Sequence, residues 1–513
     1  MTGPILAVSG LSLRSGPDRT VVSDVSFEVA AGESLGLVGE SGSGKSLTLR
    51  AILGVLPVGI TRTGGSIVTP ARVAMIFQEP LSAMSPSMRA GELVAEAVRA
   101  SNRRMPLAAA RRRALELLGE VGIADPERVR TRYPHQLSGG LRQRVMIAAA
   151  LATDPEVLLC DEPTTALDVT IQAQIMDLLD RLRTERGMAM VFVSHDLAVV
   201  AALCQRIAVM KEGRIVESGP TAEIVAHPTA PYSIELVRSA RAKAGAIRDA
   251  AAETPSEDWL VVDDLTVRFP GARRRDTVTA VDAVSFRVPR GGSVGIVGES
   301  GSGKSTIARA MVGLVRPGSG GILLDGRPYR ATSRGEARRI QMVFQDPMSS
   351  LNPRRRIRSV LTEVLRAHGA RSAAELETRV IELMDMVRLP HDLLDRFPRS
   401  LSGGQRQRVS IARALAVEPD VVILDESIAA LDVSVQAQVL ALLNDLKQSL
   451  GLTLLFISHD LGAVRALCDE VVVMSRGRIV ERGMVDEVLR NPSHPYTRLL
   501  IESEPELPAV SGV

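Results

Sequence analysis

The 513-residue chain carries 62 Lys plus Arg against 59 Asp plus Glu, a formal charge of +3, with 45% hydrophobic and 24% charged residues. That balance excludes global disorder, and so small a net charge makes no case for a nucleic-acid or anionic-membrane partner. No apolar run reaches the ~18 to 20 residues that cross a bilayer, and the amino terminus MTGPILAVSG has neither a basic leader nor a cleavable apolar segment, so the chain is expected neither to span a membrane nor to be exported.

In chain order, the first chemical landmark is GESGSGKS, comprising Gly39, Glu40, Ser41, Gly42, Ser43, Gly44, Lys45 and Ser46. The GxxxxGK[ST] spacing lets backbone amides wrap a phosphate chain, because glycine permits the tight loop and the following helix presents its positive end. Lys45 is placed to hold the β and γ phosphates, and the Ser46 hydroxyl to bind Mg²⁺. Next come FQEP with Gln78, then LSGGL with Ser138, Gly139 and Gly140, and then the apolar run Val157–Cys160 leading straight into Asp161 and Glu162. A strand that ends in two carboxylates beside a phosphate loop suits Mg²⁺ coordination by Asp161 and orientation of an attacking water by Glu162. A further apolar strand ends in Ser194-His195-Asp196; adjacent residues do not build a hydrolase triad, whose members meet only through folding. The first half closes near HPTAPYS, His227–Ser233.

The series then repeats. GESGSGKS returns as Gly298, Glu299, Ser300, Gly301, Ser302, Gly303, Lys304 and Ser305, followed by Thr306, at an offset of 298 − 39 = 259. FQDP supplies Gln345, LSGGQ supplies Ser402, Gly403 and Gly404, VILDES supplies Asp425 and Glu426, and ISHDLG supplies His459. The histidine lies 33 residues after the glutamate in both halves (195 − 162 and 459 − 426), and HPYT near the end echoes HPTAPYS. One duplication of a whole domain accounts for this, and a solenoid array does not. The predicted organisation is a first domain over 1–240, a linker over 241–258 whose small and charged residues lack a regular apolar face, and a second domain over 259–513. Apolar β-branched runs (VAMIF, VLLC, MVFV) alternating with helical stretches predict an α/β fold with a mainly parallel sheet flanked by helices. Cys160, Cys204 and Cys468 form no CxxC pair and read as buried small apolar residues.

LSGG[QL]xQR between a phosphate loop and a strand ending in Asp-Glu resembles the signature of the ABC ATPases, and the resemblance covers nearly the whole chain twice. It implies two tandem ABC-type phosphate-loop nucleotide-binding domains, each with a helical signature subdomain, that bind ATP and Mg²⁺. It assigns Gln78 and Gln345 to loops that touch the metal, His195 and His459 to switch histidines, and Asp168 and Asp432 to the loop after the paired carboxylates. It further implies that the two halves close head to tail, each ATP lying between one half's phosphate loop and the other half's LSGG, whose serine and amides stabilise γ-phosphate charge.

FQDPMSSLNPRRR (Phe344–Arg356) with the terminal HPYT is similar to the peptide, nickel and opine importer group. That implies two integral-membrane permease partners, an extracytoplasmic solute-binding protein, a peripheral place on the cytoplasmic face of the membrane, and transport driven by ATP hydrolysis. A rival, the soluble tandem-cassette translation factor acting on ribosomes, has a long charged helical arm where this chain has a short Ala-rich linker, and it leaves FQDPMSSLNP unexplained. Some members of the importer group hold an iron–sulfur cluster on cysteines after the HPYT-like segment; this chain has none there, so no cluster is expected.

The halves differ in detail. Leu141 stands where the second half has Gln405, and DESIAALD replaces Pro163 and Thr165 of the first half by Ser427 and Ala429. Phe269 occupies the expected adenine-stacking position of the second half, and its first-half counterpart is Ser15.

Overall fold

A computed structural model describes residues 3–70, 72–165, 167–245, 258–270, 277–369, 372–428 and 431–507. The chain separates into two compact units, the first built on Met1–Leu167 and Ile171–Arg241, the second on Ala242–Glu504.

The strands of the first unit are β1 (Leu6–Ser15), β2 (Arg19–Val29), β3 (Ser34–Val38), β4 (Ile60–Val68), β5 (Val73–Ile76), β6 (Val157–Asp161), β7 (Ala189–Ser194), β8 (Arg206–Lys211) and β9 (Arg214–Pro220). Six of them form one sheet in the order β5-β6-β7-β3-β8-β9, parallel throughout except for the β8–β9 edge pair. Every residue of β3, β6 and β7 is buried, as a parallel sheet covered on both faces requires. Alternate residues of one strand serve different cores: Leu158 and Cys160 pack with the helices Ala90–Ser101, Leu107–Glu120 and Gly139–Leu151, whereas Val157 and Leu159 pack with the helix Lys45–Leu53 and with β1 and β2. In Leu107–Glu120 the buried residues are Ala110, Ala114, Leu117 and Leu118, one stripe at helical spacing that fixes which face meets the core.

The second unit repeats this plan with β10 (Asp258–Pro270), β11 (Thr277–Pro289), β12 (Ser293–Val297), β13 (Ser319–Leu324), β14 (Arg327–Pro328), β15 (Ile340–Val343), β16 (Val421–Asp425), β17 (Thr453–Ile457), β18 (Glu470–Ser475) and β19 (Arg478–Met484). Its main sheet runs β15-β16-β17-β12-β18-β19.

The α/β architecture matches the alternation in the sequence, with one addition. Each unit carries a second, antiparallel sheet, β2-β1-β4 in the first and β11-β10-β13-β14 in the second, which shares one face of the main sheet with the helix after the phosphate loop, Lys45–Leu53 or Lys304–Met311. The helix Pro231–Gly245 runs into the first residues of the stretch read as a linker, since Ala, Arg and Lys in ARAKAG all favour helix. Residues 246–257 of that stretch lie outside the described residues.

Candidate functional site

The strand order decides which loops meet. In the first unit the carboxyl ends of four adjacent strands, β5, β6, β7 and β3, carry Gln78, Asp161–Glu162, His195 and the phosphate loop; in the second, β15, β16, β17 and β12 carry Gln345, Asp425–Glu426, His459 and the second loop. Ligands of open α/β sheets bind at this edge.

Each loop needs glycine at its first position. A Cβ on Gly39 would lie 2.1 Å from the Met210 carbonyl oxygen, and one on Gly298 2.1 Å from that of Met474, both at positive φ (+155° and +146°). The adjoining helices start at Lys45 and Lys304 after left-handed Gly44 and Gly303, leaving their first amides facing the loop. Inside the cradle the lysines are almost fully buried. Lys45 Nζ donates to the carbonyls of Gly39 (2.7 Å) and Glu40 (2.8 Å), and Lys304 Nζ to those of Gly298 (2.6 Å) and Glu299 (2.8 Å). Each loop thus holds a buried cation against its own carbonyls, and burial lowers the pKa of Lys304. A polyphosphate is the natural complement.

At the loop's end, Ser46 Oγ donates to Asp161 Oδ1 (2.7 Å) and Ser305 Oγ to Asp425 Oδ1 (2.8 Å). Burial and the neighbouring glutamate push both aspartates above the usual carboxylate range. A hydroxyl beside a buried carboxylate is a donor set that fits Mg²⁺, which takes one or two protein oxygens and completes its shell with waters and phosphate.

Glu162 and Glu426 follow their strands in the left-handed region, at φ +45° and +46°. Such backbone is costly for a residue with a side chain and turns it sharply off the strand line. The turn brings together groups distant in sequence. Glu162 Oε2 accepts from Gln78 Nε2 (3.1 Å) and from the Thr165 hydroxyl (2.9 Å), and His195 Nδ1 lies 3.2 Å from it. Burial raises the Glu162 pKa, but His195, Thr165 and Lys45 together bring it below the ordinary value. Glu426 Oε2 accepts from Gln345 Nε2 (2.8 Å), while His459 Nδ1 stands 3.9 Å from Glu426 Oε1, a charge contact outside hydrogen-bond range. His459 and Lys304 hold Glu426 low against its burial. Both glutamates are therefore ionised at neutral pH and able to orient a water. Thr165 was not singled out from sequence as a partner of Glu162. The DEPTTALD/DESIAALD difference was its only signal, and the counterpart Ala429 lies outside the described residues.

Other expected residues stand apart from this cluster. Ser138 and Ser402 cap the helices Gly139–Leu151 and Gly403–Leu415, accepting from the amides of Leu141 (3.4 Å) and Gln405 (3.2 Å). Gln405 returns a bond through its side chain, accepting from the Ser402 amide at 2.9 Å, which Leu141 cannot do. The first-half change therefore removes half of a capping box and leaves the helix amides in place. Phe269 is 39% exposed, an apolar ring free to cover a flat ligand, whereas its counterpart Ser15 offers no such face. Glu40, Ser41, Gly42, Ser43, Glu299, Ser300, Gly301, Ser302 and Thr306 all lie on or directly after the two loops.

Residues 22–165 and 281–429 each match the family described as "ABC transporter", and residues 480–512 match "Oligopeptide/dipeptide transporter, C-terminal region". Full-length relatives include the "Uncharacterized ABC transporter ATP-binding protein YejF" of Escherichia coli (strain K12), 44% identical over 98% of this chain and 99% of its own length. The "Peptidoglycan transport ATP-binding protein YejF" of Agrobacterium fabrum (strain C58) is 41% identical over 99% of this chain and 98% of its own. The "Glutathione import ATP-binding protein GsiA" of Escherichia coli (strain K12) is 40% identical over 98% of this chain and 90% of its own.

Proposed function

The chain belongs to the ABC transporter family as a fused pair of ATP-binding units, and we propose that it powers import of short peptides or peptide-like solutes through two membrane permeases. The match over 480–512 to the peptide-transporter region carries the choice of solute class. Relatives named for glutathione and peptidoglycan transport support the same class. No helix among the described residues is long and apolar enough to cross a membrane. In this proposal the transport path belongs to the permeases, and the chain sits peripherally against them on the cytoplasmic face. An extracytoplasmic binding protein completes the assembly. The domain division at 1–240, 241–258 and 259–513 and the site residues named above form part of the proposal.

In this reading the loop amides with Lys45 and Lys304 hold the phosphates, Ser46 with Asp161 and Ser305 with Asp425 would hold Mg²⁺, and Gln78 and Gln345 would assist in holding it. Mg²⁺, when bound, would neutralise charge on the phosphates. Glu162 and Glu426 orient the attacking water. His195 and His459 position those carboxylates and offer a positive edge to the developing charge. By the family resemblance, Ser138 with Gly139 and Gly140, and Ser402 with Gly403 and Gly404, are signature residues that would stabilise γ-phosphate charge.

Two measurements test this. Expressed with its permeases, the chain is expected to fractionate with membranes and copurify in detergent; recovery only with ribosomes would overturn the importer reading. Cysteines replacing Ser43 and Ser402 in a Cys160→Ser, Cys204→Ser, Cys468→Ser background are expected to crosslink within one chain when ATP is bound. Crosslinking of Ser43→Cys to Ser138→Cys instead would overturn head-to-tail closure.

A further inference from the structure

The HPTAPYS and HPYT segments recur in both halves, yet nothing in ATP hydrolysis as described above uses them. Each begins a helix, Pro231–Gly245 and Pro495–Glu502, with proline first and tyrosine second. The tyrosine is fixed in place by the turn that precedes it. Glu217 of β9 accepts from the Thr229 amide (2.8 Å), the Thr229 hydroxyl (2.7 Å) and the Ala230 amide (3.1 Å). Glu481 of β19 does the same for Ser493 amide (2.7 Å), Ser493 hydroxyl (2.7 Å) and His494 amide (3.0 Å). A carboxylate on the last strand therefore clamps the start of the last helix in each unit.

Held this way, Tyr232 is 5% exposed, and its hydroxyl accepts from the backbone N–H of Glu40 at 3.0 Å, across 192 residues of sequence. The Tyr496 hydroxyl accepts from the N–H of Glu299 at 2.8 Å. These amides belong to the same peptide units whose carbonyls, Gly39 and Gly298, accept from Lys45 and Lys304. Since the carbonyl and N–H of a trans peptide point in opposite directions, each unit is pinned from both sides, by the lysine within the cradle and by the tyrosine behind it. In the first unit the Lys211 ammonium also lies over the Tyr232 ring, 4.7 Å from its centre.

We propose that Tyr232 and Tyr496 are positioning residues for ATP: each fixes the first peptide plane of its phosphate loop, and with it the buried lysine. The carboxyl-terminal helix of each unit then acts as a brace for the nucleotide site. This rests on the two loops being the phosphate sites. Without the hydroxyl the peptide can rotate, its carbonyl leaves the lysine, and the Glu40 or Glu299 amide loses its partner.

The test compares three double variants of the full chain by ATP affinity and thermal midpoint. Tyr232→Phe/Tyr496→Phe keeps the rings and deletes only the hydroxyls, and is expected to weaken ATP binding about 3- to 10-fold, the scale of one lost hydrogen bond per site. Val237→Ala/Leu500→Ala empties buried positions of the same helices and is expected to lower the midpoint while leaving ATP affinity within about twofold of the parent. Lys45→Ala/Lys304→Ala is expected to lose binding. Were the lysine pair to bind ATP normally, the loop assignment and the brace would fall together. Were the lysine pair inactive but the phenylalanine pair to bind like the parent, or no worse than the valine–leucine pair, the brace alone would be overturned.

Discussion

Replacing Glu162 and Glu426 together by glutamine is expected to cut ATP turnover in the assembled transporter about 100-fold or more, the usual scale for removing a general base. Glutamine keeps the length and the acceptor oxygen, so contacts from Gln78 and Gln345 can persist, and ATP binding is expected to remain. Only the negative charge is lost, and with it the pull on the attacking water and the pairing with His195 and His459. Each single change is expected to leave less than half the parental rate, because the halves share a cycle. Turnover per assembled complex, measured with ATP saturating, decides it. A single variant that ran at the parental rate would mark its site as one that binds ATP without hydrolysing it.

Gly298→Ala is expected to be the most damaging single-methyl addition in the second phosphate loop. The new Cβ would fall 2.1 Å from the Met474 carbonyl oxygen and 3.0 Å from Ser302 Oγ, at φ +146°. The first of these is backbone of β18, paired on both sides by β12 and β19, and cannot swing aside as a side chain would. The loop must move off the strand, which breaks the contact between Lys304 and its carbonyls and adds strain of about 1 to 3 kcal/mol. The expected results are a lowered unfolding midpoint of the second unit and loss of its ATP binding, both readable by calorimetry with and without ATP. Gly301→Ala is the comparison, because nothing lies within 4 Å of its Cβ and only the backbone penalty at φ +83° remains. If Gly298→Ala bound ATP as well as Gly301→Ala did, the close approach to Met474 would not limit the site.

What the sequence disclosed was local. A glycine loop, an apolar strand running into Asp-Glu and a histidine after the next strand each announce themselves within a few residues, and the duplication puts every one of them in register twice. The structure then gathers these loops on one sheet edge, as the β5-β6-β7-β3 and β15-β16-β17-β12 orders require. The sequence did not disclose features that depend on distant partners. The antiparallel sheets are built from strands whose neighbours, such as β1 and β4, are separated by the phosphate loop and its helix, and no periodicity reveals such a pairing. Thr165 reads as one of several threonines in a turn until the left-handed backbone of Glu162 swings its carboxylate onto it. Tyr232 reads as a core aromatic, and only the folded chain places its hydroxyl on Glu40.

The left-handed backbone at Glu162 and Glu426 also sets stability against activity at these two positions. Each glutamate crowds a buried aspartate of like charge and sits in a conformation that glycine or asparagine adopts at lower cost. A library screened only for heat resistance would therefore be drawn toward Gly or Asn there, enriching sturdier chains that no longer turn over ATP, whereas a screen for growth on the imported solute would restore glutamate at both.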